Sequence, residues 1–272
     1  MKEQYRTEKA GKGVSVPDYK SSNPLEKYYQ QRKVSFVCNA IKEIVKKSPK
    51  TLIDLGCGEG VFLDFAGKFN QQCLKIGVDL TQKNCKITKQ KHTAICGDVE
   101  FPPLKSNSVE VVFLLDVIEH LLELNVLSEI NRILKDDGDL LLTTPNKLGV
   151  YEHKQLVCGE SLCQNPRDAW NSLMGKPRTY APYHVRLYTC KSIIRALQDH
   201  GFIILESTTE GFCFPLLGTI CNIFFAIKRE SLFRYLFNKR ITKLLEVFER
   251  NLRFFNFLII VHARKKPKVL IS

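Results

Sequence analysis

Apolar residues in this chain fall into short unbroken runs separated by helical patterns, and the alternation repeats several times. Residues 51–55, Thr-Leu-Ile-Asp-Leu, set Leu52, Ile53 and Leu55 around one acid, Asp54. Such a run suits a strand buried on both faces better than a half-exposed one. Comparable runs predict strands over 73–79, 93–96, 109–115 and 138–143, with helices between them. Upstream, Leu25, Tyr28, Tyr29, Val34, Phe36, Val37, Ile41 and Val45 recur at helical intervals and predict a helix over 25–47. Thr189 reads as the N-cap of a helix over 190–200, which Gly201 ends. A sixth strand follows at 202–206, and a last one near 256–263, centred on 257–261. Strands alternating with helices predict an α/β fold: a Rossmann-like, doubly wound, mostly parallel seven-stranded sheet with helices on both faces. Its ligand crevice lies at the carboxyl ends of the strands.

Two stretches interrupt the alternation. Residues 146–188 are too long for a simple connection and hold Tyr151, Trp170, Tyr180, Tyr183 and Tyr188 with three prolines among them. They read as a lid insertion over the open side of the crevice. Residues 212–227 carry no charge, but they are shorter than the roughly 20 residues of a spanning helix and include Pro215 and Gly218. Beyond them, Phe233, Phe237, Ile241, Leu244, Phe248, Leu252 and Phe255 share one helical stripe. Arg234, Lys239, Arg240, Lys243, Arg250 and Arg253 supply basic groups around it. The insertion over 212–255 therefore has two readings: a basic amphipathic helix for a membrane surface or a greasy acceptor, or a helical layer packed on the sheet. Residues 1–24 have few large apolars and read as a flexible basic arm, leaving 25–272 as a single domain.

Charge sharpens this division. The 272 residues carry a formal net charge of +13. The first fifty hold 12 Lys/Arg against 5 Asp/Glu, and residues 222–272 hold 12 against 3, which leaves the middle slightly acidic. Basic ends suit nucleic acid, an anionic membrane surface or plain solvent. The ten cysteines include no C-x-x-C pair, and the polar start lacks the apolar segment of a secretory signal. Reduced thiols in a cytoplasmic protein, peripheral to a membrane if the basic helix docks there, are the expectation.

The candidate chemistry sits where the first strand breaks. Gly56, Gly58 and Gly60 alternate through a turn, and Val61, Phe62, Leu63 and Phe65 then begin a helix. A turn without Cβ atoms lets backbone touch a ligand. Asp79 ends the next strand, 19 positions after Gly60, about where a carboxylate meets ribose hydroxyls. A dinucleotide site would show G-x-G-x-x-G, with a helix N-terminus open to pyrophosphate. Here the spacing is G-x-G-x-G, and Asp54 stands two residues before the first glycine. An acid there is badly placed for phosphate and well placed for a cation.

The segment from Asp54 to Gly60 resembles the first motif of the class I S-adenosylmethionine methyltransferases. The resemblance continues through Cys96-Gly97-Asp98-Val99, through Leu114-Leu115-Asp116-Val117-Ile118-Glu119-His120, and through the Asp137-Gly138 turn into Leu140-Leu141-Leu142-Thr143-Thr144. It implies S-adenosylmethionine as cofactor. Asp54, Gly56, Gly58 and Gly60 would cradle its methionine part, and Asp79 would bind its ribose. Leu80 would lie on the adenine, Asp98 and Val99 would define the adenine edge, and Leu115 would join them. His120 and His184 are the candidate bases for removing a hydroxyl proton. Quinone-pathway O-methyltransferases and small-RNA 2′-O-methyltransferases hold a divalent metal through Glu-x-x-Glu-His. Asp116, Glu119 and His120 resemble that set, with a shorter first arm. The motif after the fourth strand lacks the [DNS]-P-P-[YFW] of amino-methylating nucleic-acid enzymes, which disfavours nucleic acid as the acceptor. The expected activity is O-methylation of a small, lipid-like or glycan-linked molecule. An RNA 2′-O-methyltransferase and a non-catalytic cofactor-binding scaffold remain the alternatives.

Overall fold

The computed structural model describes residues 24–148, 185–212, 247, 251 and 256–267. Helix α1 (Pro24–Val45) leads into β1 (Thr51–Leu55), α2 (Val61–Gly67), β2 (Leu74–Asp79), α3 (Gln82–Thr88), β3 (Thr93–Cys96) and β4 (Val109–Leu115). A single 3₁₀ turn (Ile118–His120), α4 (Asn125–Ile133), β5 (Leu134–Pro145), α5 (Cys190–Asp199), β6 (Phe202–Phe212) and β7 (Asn256–Lys265) follow. The strands form one sheet in the order β3-β2-β1-β4-β5-β7-β6. All pairings from β3 to β5 are parallel, whereas β7 runs antiparallel to both β5 and β6.

Both faces of the sheet are covered, which is why its strands read as continuous apolar runs. Successive side chains point to opposite faces. Leu52, Val111, Phe113 and Leu141 pack with Val37, Ile41, Ile44 and Val45 of α1 and Leu63 of α2. Ile53, Leu55, Val112, Leu114, Leu140 and Leu142 pack with Val126, Leu127, Ile130 and Ile133 of α4 and with Ile193 and Leu197 of α5. The order reverses direction between β1 and β4, so the crevice opens beyond Leu55 and Leu115.

Local chemistry explains the boundaries. Thr189 Oγ1 accepts the Ser192 N–H at 3.1 Å, and Ser192 Oγ accepts the Thr189 N–H at 2.9 Å, a reciprocal cap on α5. Strand β5 begins four residues before the expected 138. Leu134 pairs with Val109, and Asp139 pairs with Val111, so residues 135–138 bulge opposite Glu110. Asp137 there takes φ 62°, and Lys135 Nζ pairs with Glu110 Oε1 at 2.9 Å. Strand β6 runs six residues past the expected 206, because β7 supplies a partner along its whole length. Asp139 ties the far end of the sheet together, bonded by Lys47 Nζ at 2.8 Å and Arg264 Nε at 3.0 Å. Burial works against its charge, yet His262 at 3.3 Å and the hydrogen bonds from Lys47 and Arg264 hold its carboxyl well below the usual range.

Residues 1–23, 149–184 and most of 213–255 lie outside the described residues, and with them the basic arm, most of the expected lid and nearly all of the basic amphipathic stripe. Both edges of the 146–188 insertion are described. Lys147 N–H donates to Tyr188 O at 2.6 Å, and Asn146 N–H donates to Phe257 O at 2.8 Å. The insertion therefore leaves and returns at one point beside β7. Among the described residues, no helix is long and apolar enough to cross a membrane.

Candidate active site

The glycine turn is built as its sequence demands. Gly56, Gly58 and Gly60 take φ values of 86°, 53° and 81°. The Gly56 and Cys57 N–H groups both donate to Val78 O, at 2.7 and 3.0 Å, which folds the turn back over β2. A Cβ on Gly56 would land on Val117 Cγ2, well inside contact distance, and one on Gly60 would come within 3.1 Å of Thr88 Oγ1. The Val117 contact brings the turn after β1 against the turn after β4. Cys57 is buried. Burial pushes its thiol far above the ordinary range, so it packs and is not a ready nucleophile.

Two carboxyls lie under this turn. Asp79 is 9% exposed. Its Oδ2 accepts the Gly58 N–H at 2.9 Å, and its Oδ1 accepts the Thr81 N–H at 2.8 Å and Asn84 Nδ2 at 3.2 Å. Asp54 is 1% exposed, and its Oδ2 has no hydrogen-bond partner. Burial, and then the charge of Asp79, push the Asp54 carboxyl up to about 8. A buried acid oxygen left without a donor fits a ligand that brings a cation, such as the ammonium of a methionine group. Leu80 is 39% exposed and follows Asp79 directly. At the end of β3, Asp98 Oδ1 accepts the Glu100 N–H at 2.9 Å, while Val99 is buried. Leu115 is buried at the end of β4. The topology thus gathers every described residue of the expected cofactor set at the carboxyl ends of β1 to β4.

The turn after β4 holds the second group. Asp116 takes φ 55°, and its N–H donates to Thr143 O at 3.0 Å. A left-handed aspartate at a strand end stores strain. Its Oδ2 pairs with Lys33 Nζ of α1 at 2.8 Å. Glu119 is buried: Thr144 Oγ1 donates to its Oε2 at 3.1 Å, and its Oε1 lies 3.9 Å from His120 Nε2. Its backbone oxygen accepts the N–H groups of Val185 and Arg186 at 2.9 and 3.1 Å, which anchors the returning end of the long insertion. Burial, followed by the charge of Asp116, raises the Glu119 carboxyl to about 8. The His120 side chain is 13% exposed at the end of the 3₁₀ turn.

Asp116, Glu119 and His120 are neighbours, but they do not converge on one point. Among the described residues, no three His, Cys, Asp or Glu side chains stand together as a metal site. The ammonium of Lys33 occupies one face of Asp116. His184, the other candidate base, lies outside the described residues. Sequence reasoning missed Lys33, Asn84 and Thr144, and nothing in the local pattern marks them. Lys33 sits among the apolar residues of α1, and only the tertiary fold brings it to Asp116.

Comparison with known proteins gives the family and the fold. A family model described as a methyltransferase domain matches residues 28–207. An uncharacterised protein of Methanocaldococcus jannaschii is 34% identical over 107 residues, taking in 39% of this chain and 46% of that protein; the chain therefore spans about half of that relative. Among solved structures, an S-adenosylmethionine-dependent methyltransferase from Archaeoglobus fulgidus superposes with a TM-score of 0.55 at 16% identity, over 85% of this chain and 94% of the other. A geranyl diphosphate C-methyltransferase from Streptomyces coelicolor, solved with Mg²⁺, geranyl diphosphate and S-adenosylhomocysteine, gives 0.54 at 13% identity, over 96% and 98%. The sheet is thus one shared with solved S-adenosylmethionine-dependent methyltransferases, and the chain is a member of the methyltransferase-domain family.

Proposed function

We propose that this methyltransferase acts on a hydroxyl of a small, lipid-like or glycan-linked acceptor, and that the residues under the glycine turn hold its cofactor. The observation that carries the cofactor assignment is the buried, partnerless Asp54 Oδ2 beside Asp79. S-adenosylmethionine supplies an electrophilic methyl group on a sulfonium centre. Asp54 receives the cationic methionine end, and Gly56, Gly58 and Gly60 keep the turn open to it. Asp79, oriented by Thr81 and Asn84, would hold the ribose hydroxyls. Leu80 would cover the adenine and Asp98 and Val99 would define its edge, with Leu115 beside them.

On the acceptor side, His120 takes the hydroxyl proton. A buried, protonated Glu119 beside it orients the turn without adding a second negative charge. Lys33 holds Asp116, and the described ends of the 146–188 insertion, the expected lid, are tied to this region. The basic, apolar 212–255 segment is the part suited to an anionic membrane surface.

Calorimetric titration with S-adenosylmethionine tests the cofactor half. Asp79→Ala should weaken binding by about 1–3 kcal/mol, the cost of a lost charged hydrogen bond; unchanged affinity overturns the assignment. His120→Ala should lower turnover by about 10²–10⁴ with cofactor affinity kept. A change within threefold would make His120 structural. Anionic and neutral vesicles, titrated in parallel, direct the acceptor screen.

A further inference from the structure

Two cysteines meet in the wall of the proposed adenosine pocket. Cys85 lies in the first turns of α3 and is buried, while Cys96 ends β3 and is exposed. Cys96 is the register partner of Asp79 across the β2–β3 pairing. The Cys85 thiol donates to Asp79 O at 3.3 Å and lies 3.6 Å from Ile95 O. The Cys96 thiol points to Leu80 O at 3.7 Å. Both sulfurs therefore lie against the Asp79–Leu80 backbone, and the Cys85 sulfur also lies against Ile95, the residue before Cys96. Their setting differs from that of the other described thiols: Cys57 contacts Thr88, and Cys73 contacts the Leu74 carbonyl.

We propose that Cys85 and Cys96 form an oxidisable dithiol site whose disulfide distorts the Asp79–Leu80 wall and weakens cofactor binding. This rests on the reading of Asp79 and Leu80 as adenosine contacts. The co-reactant is a peroxide. Exposed Cys96, as thiolate, attacks one peroxide oxygen; the O–O bond breaks and hydroxide leaves, taking up a proton as water. Cys96 is then a sulfenic acid. The Cys85 sulfur attacks the Cys96 sulfur, the S–O bond breaks, and the departing hydroxide leaves with the Cys85 proton as a second water. Two thiols lose two electrons and two protons, and one hydrogen peroxide becomes two waters. Burial, and then Cys96 itself, raise the Cys85 thiol to about 11, so the exposed partner reacts first.

A disulfide holds its sulfurs about 2.05 Å apart, closer than two thiols in contact. Forming it draws α3 toward the end of β3. Asn84, next to Cys85, moves with α3 and loosens its 3.2 Å bond to Asp79. Leu80 lies between the two anchors.

The test uses the full chain treated with hydrogen peroxide, alkylated, digested and mapped by mass spectrometry, with S-adenosylhomocysteine titrated before oxidation, after it and after dithiothreitol. The expected result is a Cys85–Cys96 linked peptide, a roughly tenfold loss of affinity and recovery on reduction. Cys96→Ser should lose both responses, its affinity being the same before and after peroxide. Cys85 and Cys96 peptides that stay unlinked overturn the dithiol site. A link that forms while affinity is unchanged overturns its effect on binding. If Asp79→Ala in the reduced protein also binds normally, the cofactor reading itself has failed, which separates the two outcomes.

Discussion

Asp54 and Glu119 set the protonation behaviour of the site. Each keeps a proton up to about pH 8 in the folded protein, because burial and a neighbouring carboxylate oppose its charge. In the unfolded chain both ionise near pH 4. Between about pH 4 and 8 the unfolded chain therefore binds fewer protons, and stability falls as pH rises through that window. Urea unfolding of the cofactor-free protein should give lower stability at pH 8 than at pH 5, and Asp54→Asn should flatten part of the slope. An identical slope in the variant would show that Asp54 is already ionised. Below pH 8, a cationic ligand beside Asp54 favours its carboxylate, so binding should release a proton. Titration in two buffers of different ionisation enthalpy measures that release, and Asp54→Asn should abolish it. Gly56 is the other sharp position. Alanine there meets both a φ of 86° and Val117, at a cost of about 2–4 kcal/mol. Val117→Ala should recover only the contact part, which thermal unfolding of the double variant would show.

Elements follow local chemistry where that chemistry is complete in the sequence. The reciprocal Thr189–Ser192 cap and Gly201 delimit α5 by themselves, and the expected 190–200 differs from the helix by one residue. Thr189→Ala should cost about 1 kcal/mol in urea unfolding. Strands β1 and β4 were legible because burial on both faces leaves mostly apolar residues to read. The same burial makes Ile130 of α4, fully enclosed, worth about 2–5 kcal/mol against alanine. Both ends of β5 and the far ends of β6 and β7 were less legible. Leu134 joins the sheet only because Val109 lies across from it, and 207–212 only because β7 runs alongside. Within the site, motif residues such as Asp79 announce themselves by spacing. The Lys33–Asp116 pair and the Thr144–Glu119 bond span 83 and 25 positions of sequence, and no local pattern carries them.

Across the whole molecule, the sheet is closed by the strand farthest along the chain. Strand β7 sits between β5 and β6, pairing with both. During synthesis β1 to β6 leave the ribosome before it. Until residue 265 has emerged, β5 and β6 each present an open ladder of backbone donors and acceptors with apolar flanks. The nascent chain thus carries a gap in its middle that only its own late segment fits, and the helical layers on either side cannot settle until the gap is filled. A chain stopped at residue 255 should retain helical far-ultraviolet circular dichroism but lose the near-ultraviolet signal and aggregate. The missing strand added as a separate peptide should restore solubility, much as a wedge completes an arch.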